Sequence, residues 1–80
     1  MNDDDARALV LGALATVAPE LDASRMDAAA SLRSSAELDS MDFLSYVAAL
    51  SDALDADVPE TDYDQVDSIN GAVAYVAARS

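Results

Sequence analysis

Residues 37 to 44 read ELDSMDFL and hold the clearest helix start in the chain. Asp39 is a good N-cap, because its side-chain oxygen can accept an N–H that the first turn leaves unpaired. Asp42 stands three residues on, where the positive end of the helix dipole favours an acid. At about 100° per residue, Phe43, Tyr46, Val47, Leu50 and Leu54 then fall on one stripe. That stripe is core. Met41, Ser45, Ala48 and Asp52 fall on the opposite side, with Leu44 at the margin. A large apolar side chain, Met41, is therefore set on the water-facing side directly after Ser40. Exposed apolar groups of this size mark contact sites. For an isolated Asp-Ser pair, an ordinary helix start is the simpler reading. The long segment ahead of it, the exposed Met41 and the surrounding acids argue for more.

Upstream, residues 19–38 form a long connection, with Leu21, Met26 and Leu32 as its anchors and a helical turn expected around Ser24 to Ala30. Connections of that length are uncommon inside a small domain and usually functional. Before them, DDDARALVLGALATVAPEL reads as a first helix. Three aspartates favour its start, Pro19 ends it near Val17 or Ala18, and Ala6, Val10, Ala13, Leu14 and Val17 recur at helical spacing. Downstream, Val58 is an anchor and Pro59 suits the first turn of a short helix that faces Tyr63 and Val66 inward. Asp67 or Ser68 caps a last helix whose buried stripe is Ile69, Ala72, Val73 and Val76, with Arg79 at the negative end of the dipole. No segment alternates as a strand would. The expectation is an all-α fold: a bundle of three main helices plus one short helix, with a long loop between the first two main helices.

Composition limits what such a bundle does. The chain has 80 residues, a length that suits one domain spanning 1–80, with residues 1–4 expected to fray. It has no cysteine and no histidine, so disulfides, thiolate metal sites and the Ser-His and Cys-His catalytic pairs are excluded. A self-sufficient enzyme is not expected. Asp55 and Asp57 begin the spacing of a calcium loop, but Pro59 and Glu60 occupy its next ligand and glycine positions, so no metal site is expected. Sixteen acids against four arginines give a net charge of −12, and ten of the acids lie between Glu37 and Asp67 with no base among them. That surface repels nucleic acid and anionic lipid, and suits basic protein patches. With an acidic N-terminus and no membrane-length apolar run, a cytoplasmic protein is expected.

From Leu38 onward, LDSMDFLSYVAALSDALDADVPETDYDQVDSINGAVAYVAAR resembles the second half of an acyl carrier protein. The family pattern sets Asp-Ser-Leu at the start of the second helix, then a Val/Ile-Pro step, a short third helix and a final apolar helix. Here these are Asp39-Ser40-Met41, Val58-Pro59, Tyr63 to Val66, and Ile69 to Ala78. The loop element from Ala29 to Leu32 also fits, whereas the first helix matches only in length and character. The resemblance implies that Ser40, flanked by Asp39, carries a covalent 4′-phosphopantetheine arm donated by coenzyme A through a phosphopantetheinyl transferase. It implies a cargo held on the arm's thiol as a thioester, and partner enzymes that load and transfer it through basic docking patches. Met41, Asp42, Leu44, Ala48 and Asp52 would form the docking surface of a monomeric carrier. Methionine stands after the serine where leucine is commonest, and Ser45, Ala48 and Ser51 stand where acids are frequent. These departures suit a lipid, polyketide or other specialised pathway over housekeeping fatty acid synthesis. Asp-Ser-Met also occurs in D-alanyl carriers, so an aminoacyl or peptidyl cargo loaded by an adenylating ligase is an alternative. A non-modified acidic interaction module is another.

Overall fold

The computed structural model describes residues 1–22, 25–35 and 38–79, Ser35 by its backbone alone. The elements described in full follow in the order α1 (Asp3–Val17), α2 (Leu32–Ser35), α3 (Ser40–Leu54), the 3-10 helix Glu60–Val66, and α4 (Ile69–Arg79). α3 is the helix foreseen as the second main one. α1 packs on both α3 and α4, and the 3-10 helix lies on α4. The three main helices and the short one are as the spacing predicts, and no strand occurs among the described residues.

α1 begins early because Asn2 caps it, its side chain accepting the Asp5 N–H at 2.8 Å. The stretch expected to fray thus includes a cap and two helical residues, Asp3 and Asp4. Ala6, Val10, Ala13 and Leu14 are buried as expected, while Val17 is half-buried and packs at the core's edge. The helix stops at Ala18, just before Pro19.

The long connection is pinned more firmly than its composition suggests. Leu32 and Leu38 are buried, and Leu21 and Met26 pack partly against the core. Ser24 lies outside the described residues. From Asp27 to Ala30 the chain makes a turn instead of a helix, because the Asp27 carboxylate accepts the Ala29 N–H at 2.9 Å. A 3-10 turn does fall inside the expected stretch, at Arg25, and the α-helical piece comes later, at α2. Four residues are too few for apolar periodicity to show, so the sequence pattern does not reveal it.

α4 settles which residue caps it. The Ser68 hydroxyl accepts the Gly71 N–H at 2.9 Å, leaving Asp67 for other partners. Ile69, Ala72 and Val76 are buried as expected, but Tyr75 is buried where Val73 was expected, and Val73 packs only partly. The reason is polar: the Tyr75 hydroxyl donates to Asp62 at 2.7 Å and the Arg79 guanidinium covers its ring, 3.5 Å from the centroid. Burial and the bond to Asp62 push the Tyr75 hydroxyl's pKa up. Tyr46, fully buried on α3, donates its hydroxyl to the Val66 carbonyl at 2.9 Å. Burial, then the nearby Asp67 charge, holds that hydroxyl well above the ordinary tyrosine range.

Candidate functional site

The head of α3 is assembled by one aspartate. Asp39 is extended (φ −76°, ψ 177°); its side chain accepts the Asp42 N–H at 2.8 Å and its carbonyl accepts the Phe43 N–H at 2.9 Å. Asp and Ser are comparable caps, so either residue of the pair could have served. Because Asp39 serves, Ser40 enters as the first helical residue, exposed, and its hydroxyl makes no hydrogen bond among the described residues. The hydroxyl stands at the positive end of a 15-residue helix, where an attached anionic group is favoured.

The first turn is otherwise open. Met41 is 77% exposed and Leu44 51%, which makes them the two most exposed large apolar side chains of the described chain. Asp42, Ala48 and Asp52 are exposed beside them. The structure thus brings every residue singled out for docking onto the outer side of α3.

Leu44, Val47 and Ala48 also wall a groove of about 580 Å³, facing Val58, Pro59 and Tyr63 across it. Ser51, Asp52 and Asp57 complete its lining. At 100° per residue, Ser40, Leu44, Val47, Ala48 and Ser51 share one stripe of α3, so the groove continues the face that starts at the serine. Of the aromatic side chains Phe43, Tyr46 and Tyr63, only Tyr63 lines the groove. Phe43 and Tyr46 are in the core, their ring centroids 5.8 Å apart, and Phe43 meets Tyr63 edge-on at 5.9 Å.

Ser51 stands where an acid was the family expectation, and it has a job: its hydroxyl accepts the Val58 N–H at 3.1 Å, holding the opposite wall to α3. α3 ends at Asp55 in the left-handed region (φ 53°), and the Ala56 N–H bonds back to Ser51 at 3.2 Å.

Below the first turn, Asp67 gathers the end of the long connection. It accepts the Ser31 hydroxyl at 2.6 Å, the Arg33 backbone N–H at 3.2 Å and the Arg33 side chain through two nitrogens, each at 3.2 Å. Its carbonyl accepts the Leu32 N–H at 2.6 Å. Arg33 also reaches Asp64 at 3.1 Å and lies on the Phe43 ring, 4.7 Å from the centroid. Burial alone would raise the Asp67 carboxyl, but the bonds from Ser31 and Arg33 outweigh it and hold the group below the ordinary carboxylate range. Nothing in the sequence pattern marks this clasp; the nearest signal is an arginine next to a buried leucine.

Residues 8–76 match the model of a protein family described as phosphopantetheine attachment site. The chain belongs to this family of acyl carrier and related carrier proteins. No curated protein matches the chain. The family attaches 4′-phosphopantetheine covalently, so the protein is a phosphopantetheine-bearing carrier. Its architecture fits that group. A carrier must offer a hydroxyl that packing does not need, with room for a phosphodiester and a long arm beside it. Ser40 is exposed and unbonded among the described residues, at a helix end that favours an anion, and the groove starts one turn further on. The carrier has no helix long and apolar enough to cross a membrane among the described residues.

Proposed function

We propose that Ser40 is the residue that bears the arm, and that the carrier presents an acyl group to enzymes of a lipid, polyketide or other specialised pathway. The observation that carries this is the division of labour at the head of α3. Asp39 takes the cap, so the Ser40 hydroxyl is left exposed without a structural task. In the loading reaction the Ser40 oxygen bonds to the pantetheine-side phosphorus of coenzyme A. The phosphoanhydride bond of coenzyme A breaks, adenosine bisphosphate leaves, and the hydroxyl proton passes to a base of the transferase. The arm's thiol then supplies the thioester on which the cargo rides.

The chain's own residues do the rest. The carrier holds neither histidine nor cysteine, so chemistry on the cargo falls to the partners. Partners with basic patches are drawn in by the acidic surface, which speeds encounter without requiring a large buried interface. Met41, Leu44 and Ala48 supply the apolar contact, with Asp42 and Asp52 as charged neighbours. A tether raises the effective concentration of cargo at each docked enzyme, so docking itself can stay weak and brief. A monomer working in the cytoplasm, where coenzyme A and the transferase meet it, fits this cycle.

The test is incubation of the protein with coenzyme A and a promiscuous phosphopantetheinyl transferase, read by intact mass. The wild-type chain gains a single pantetheinyl mass and Ser40→Ala gains none. A wild-type chain left unmodified while a control carrier is loaded would instead support a plain interaction module.

A further inference from the structure

Among the described residues, the buried Leu38 just ahead of Asp39 and the buried Phe43 anchor the head of α3 in the core. Ser40, Met41 and Asp42 are exposed, and Phe43, 3% exposed, is the first side chain of α3 to enter the core. Its ring meets Tyr46 in the core and the half-buried Tyr63 at the core's edge, and the Arg33 guanidinium lies on it. Phe43 stands three residues after Ser40, which on a helix makes the two neighbours. Arg33, itself exposed, has several partners. Asp67 engages two of its nitrogens and Asp64 a contact from one of them, while Ser31 and the Leu32 and Arg33 backbone N–H groups fix Asp67 to the same stretch. A planar guanidinium can fork to a carboxylate and stack on a ring at once, which a lysine ammonium cannot.

We propose that Arg33 is a positioning residue for the modification of Ser40: held by Asp67 and Asp64 and stacked on Phe43, it fixes the turn of α3 in which the hydroxyl meets the transferase. This rests on the reading of Ser40 as the attachment residue. Arg33 makes its ion pairs and ring contact with Asp64, Asp67 and Phe43, none of which belongs to the proposed docking surface. Its loss therefore loosens the presentation of the hydroxyl and leaves the outer contacts of Met41 and Leu44 in place. The effect belongs in kcat, not KM.

Steady-state loading kinetics on the full chain separate this from a purely structural role. The variants are Arg33→Ala, Arg33→Lys and Arg79→Ala. The last removes an ion pair to Asp62 and a ring contact to Tyr75, interactions of the same kinds that do not involve α3. Arg33→Ala lowers kcat roughly tenfold with KM changed less than about twofold, because a small misplacement of a reacting group is costly. Arg33→Lys, which keeps the charge and guards against a variant that fails to fold, falls between wild type and Arg33→Ala. Arg79→Ala lowers the melting temperature and leaves kcat at the wild-type value. Equal kcat for wild type and both Arg33 variants overturns the proposal, as does an equal fall in Arg79→Ala. A wild-type chain that takes no arm at all overturns the reading of Ser40, and this inference with it.

Discussion

Asp39 and Ser40 are chemically similar candidates for a single capping job, and their separation into cap and bystander is what gives the head of α3 a usable hydroxyl. The cap contributes about 1 kcal/mol, as such caps do on removal to alanine. Asp39→Ala should therefore lower the melting temperature by several degrees, seen by circular dichroism, whereas Ser40→Ala should leave it nearly unchanged. Equal melting losses in the two would mean that the serine shares the cap. Met41 is 77% exposed and has little packing to lose. Met41→Asp should keep wild-type thermal stability but slow loading by the transferase, and loading at the wild-type rate would remove Met41 from the docking surface. The roles at this scale were legible in the sequence where they are local. An N-cap is a four-residue pattern, and a helical stripe tells inside from outside. Ser51 and Arg33 were not legible, because their partners lie 7 and 34 residues away and only folding brings them together.

Elements are joined here by small features that substitution can expose. Gly12 on α1 has open space where a Cβ would go. Gly12→Ala should then stabilise the protein by about 0.5–1 kcal/mol, the usual helix-interior gain. Gly71 invites the same change by sequence, since both glycines interrupt apolar helices. A Cβ there, however, would run into the Gln65 carbonyl oxygen and come within 2.9 Å of the Ser68 hydroxyl that caps α4. Gly71→Ala should therefore destabilise, and chemical denaturation of the two variants should give opposite signs. The clasp between the long connection and the start of α4 adds a pH signature. Asp67's folded pKa lies below its ordinary value of 3.8, so its stabilising contribution is full above that value and is lost as pH falls through the lower, folded one. The stability gap between wild type and Asp67→Asn should stay constant at neutral pH and narrow below about pH 4. A gap independent of pH down to unfolding would mean that the carboxylate's ionisation gives the clasp nothing. The main helices were readable because each keeps a 3.6-residue period over three turns or more. α2 and the clasp carry no period at all.

Across the whole molecule, charge is the dominant tension. A net charge of −12 on 80 residues opposes compaction. The ten acids from Glu37 to Asp67 have no base within their own segment, yet folding brings Arg33 to Asp64 and Asp67, and Arg79 to Asp62. Asp42, Asp52, Asp55, Asp57 and Glu60 are exposed and face water. Raising the salt should therefore raise the melting temperature, since screening shortens from roughly 30 Å at 0.01 M to about 3 Å at 1 M. Millimolar divalent cations should act the same way. A melting curve indifferent to both would show the acids to be already balanced. In the proposed function, the same acidic surface draws basic partners to a carrier loaded at the Ser40 hydroxyl. Site mapping after loading tests that most directly. With wild-type protein, coenzyme A and transferase, tandem mass spectrometry of the digested product should place the pantetheinyl group on Ser40 alone. Finding it on another serine, or finding every serine unmodified while a control carrier is loaded, would contradict the account.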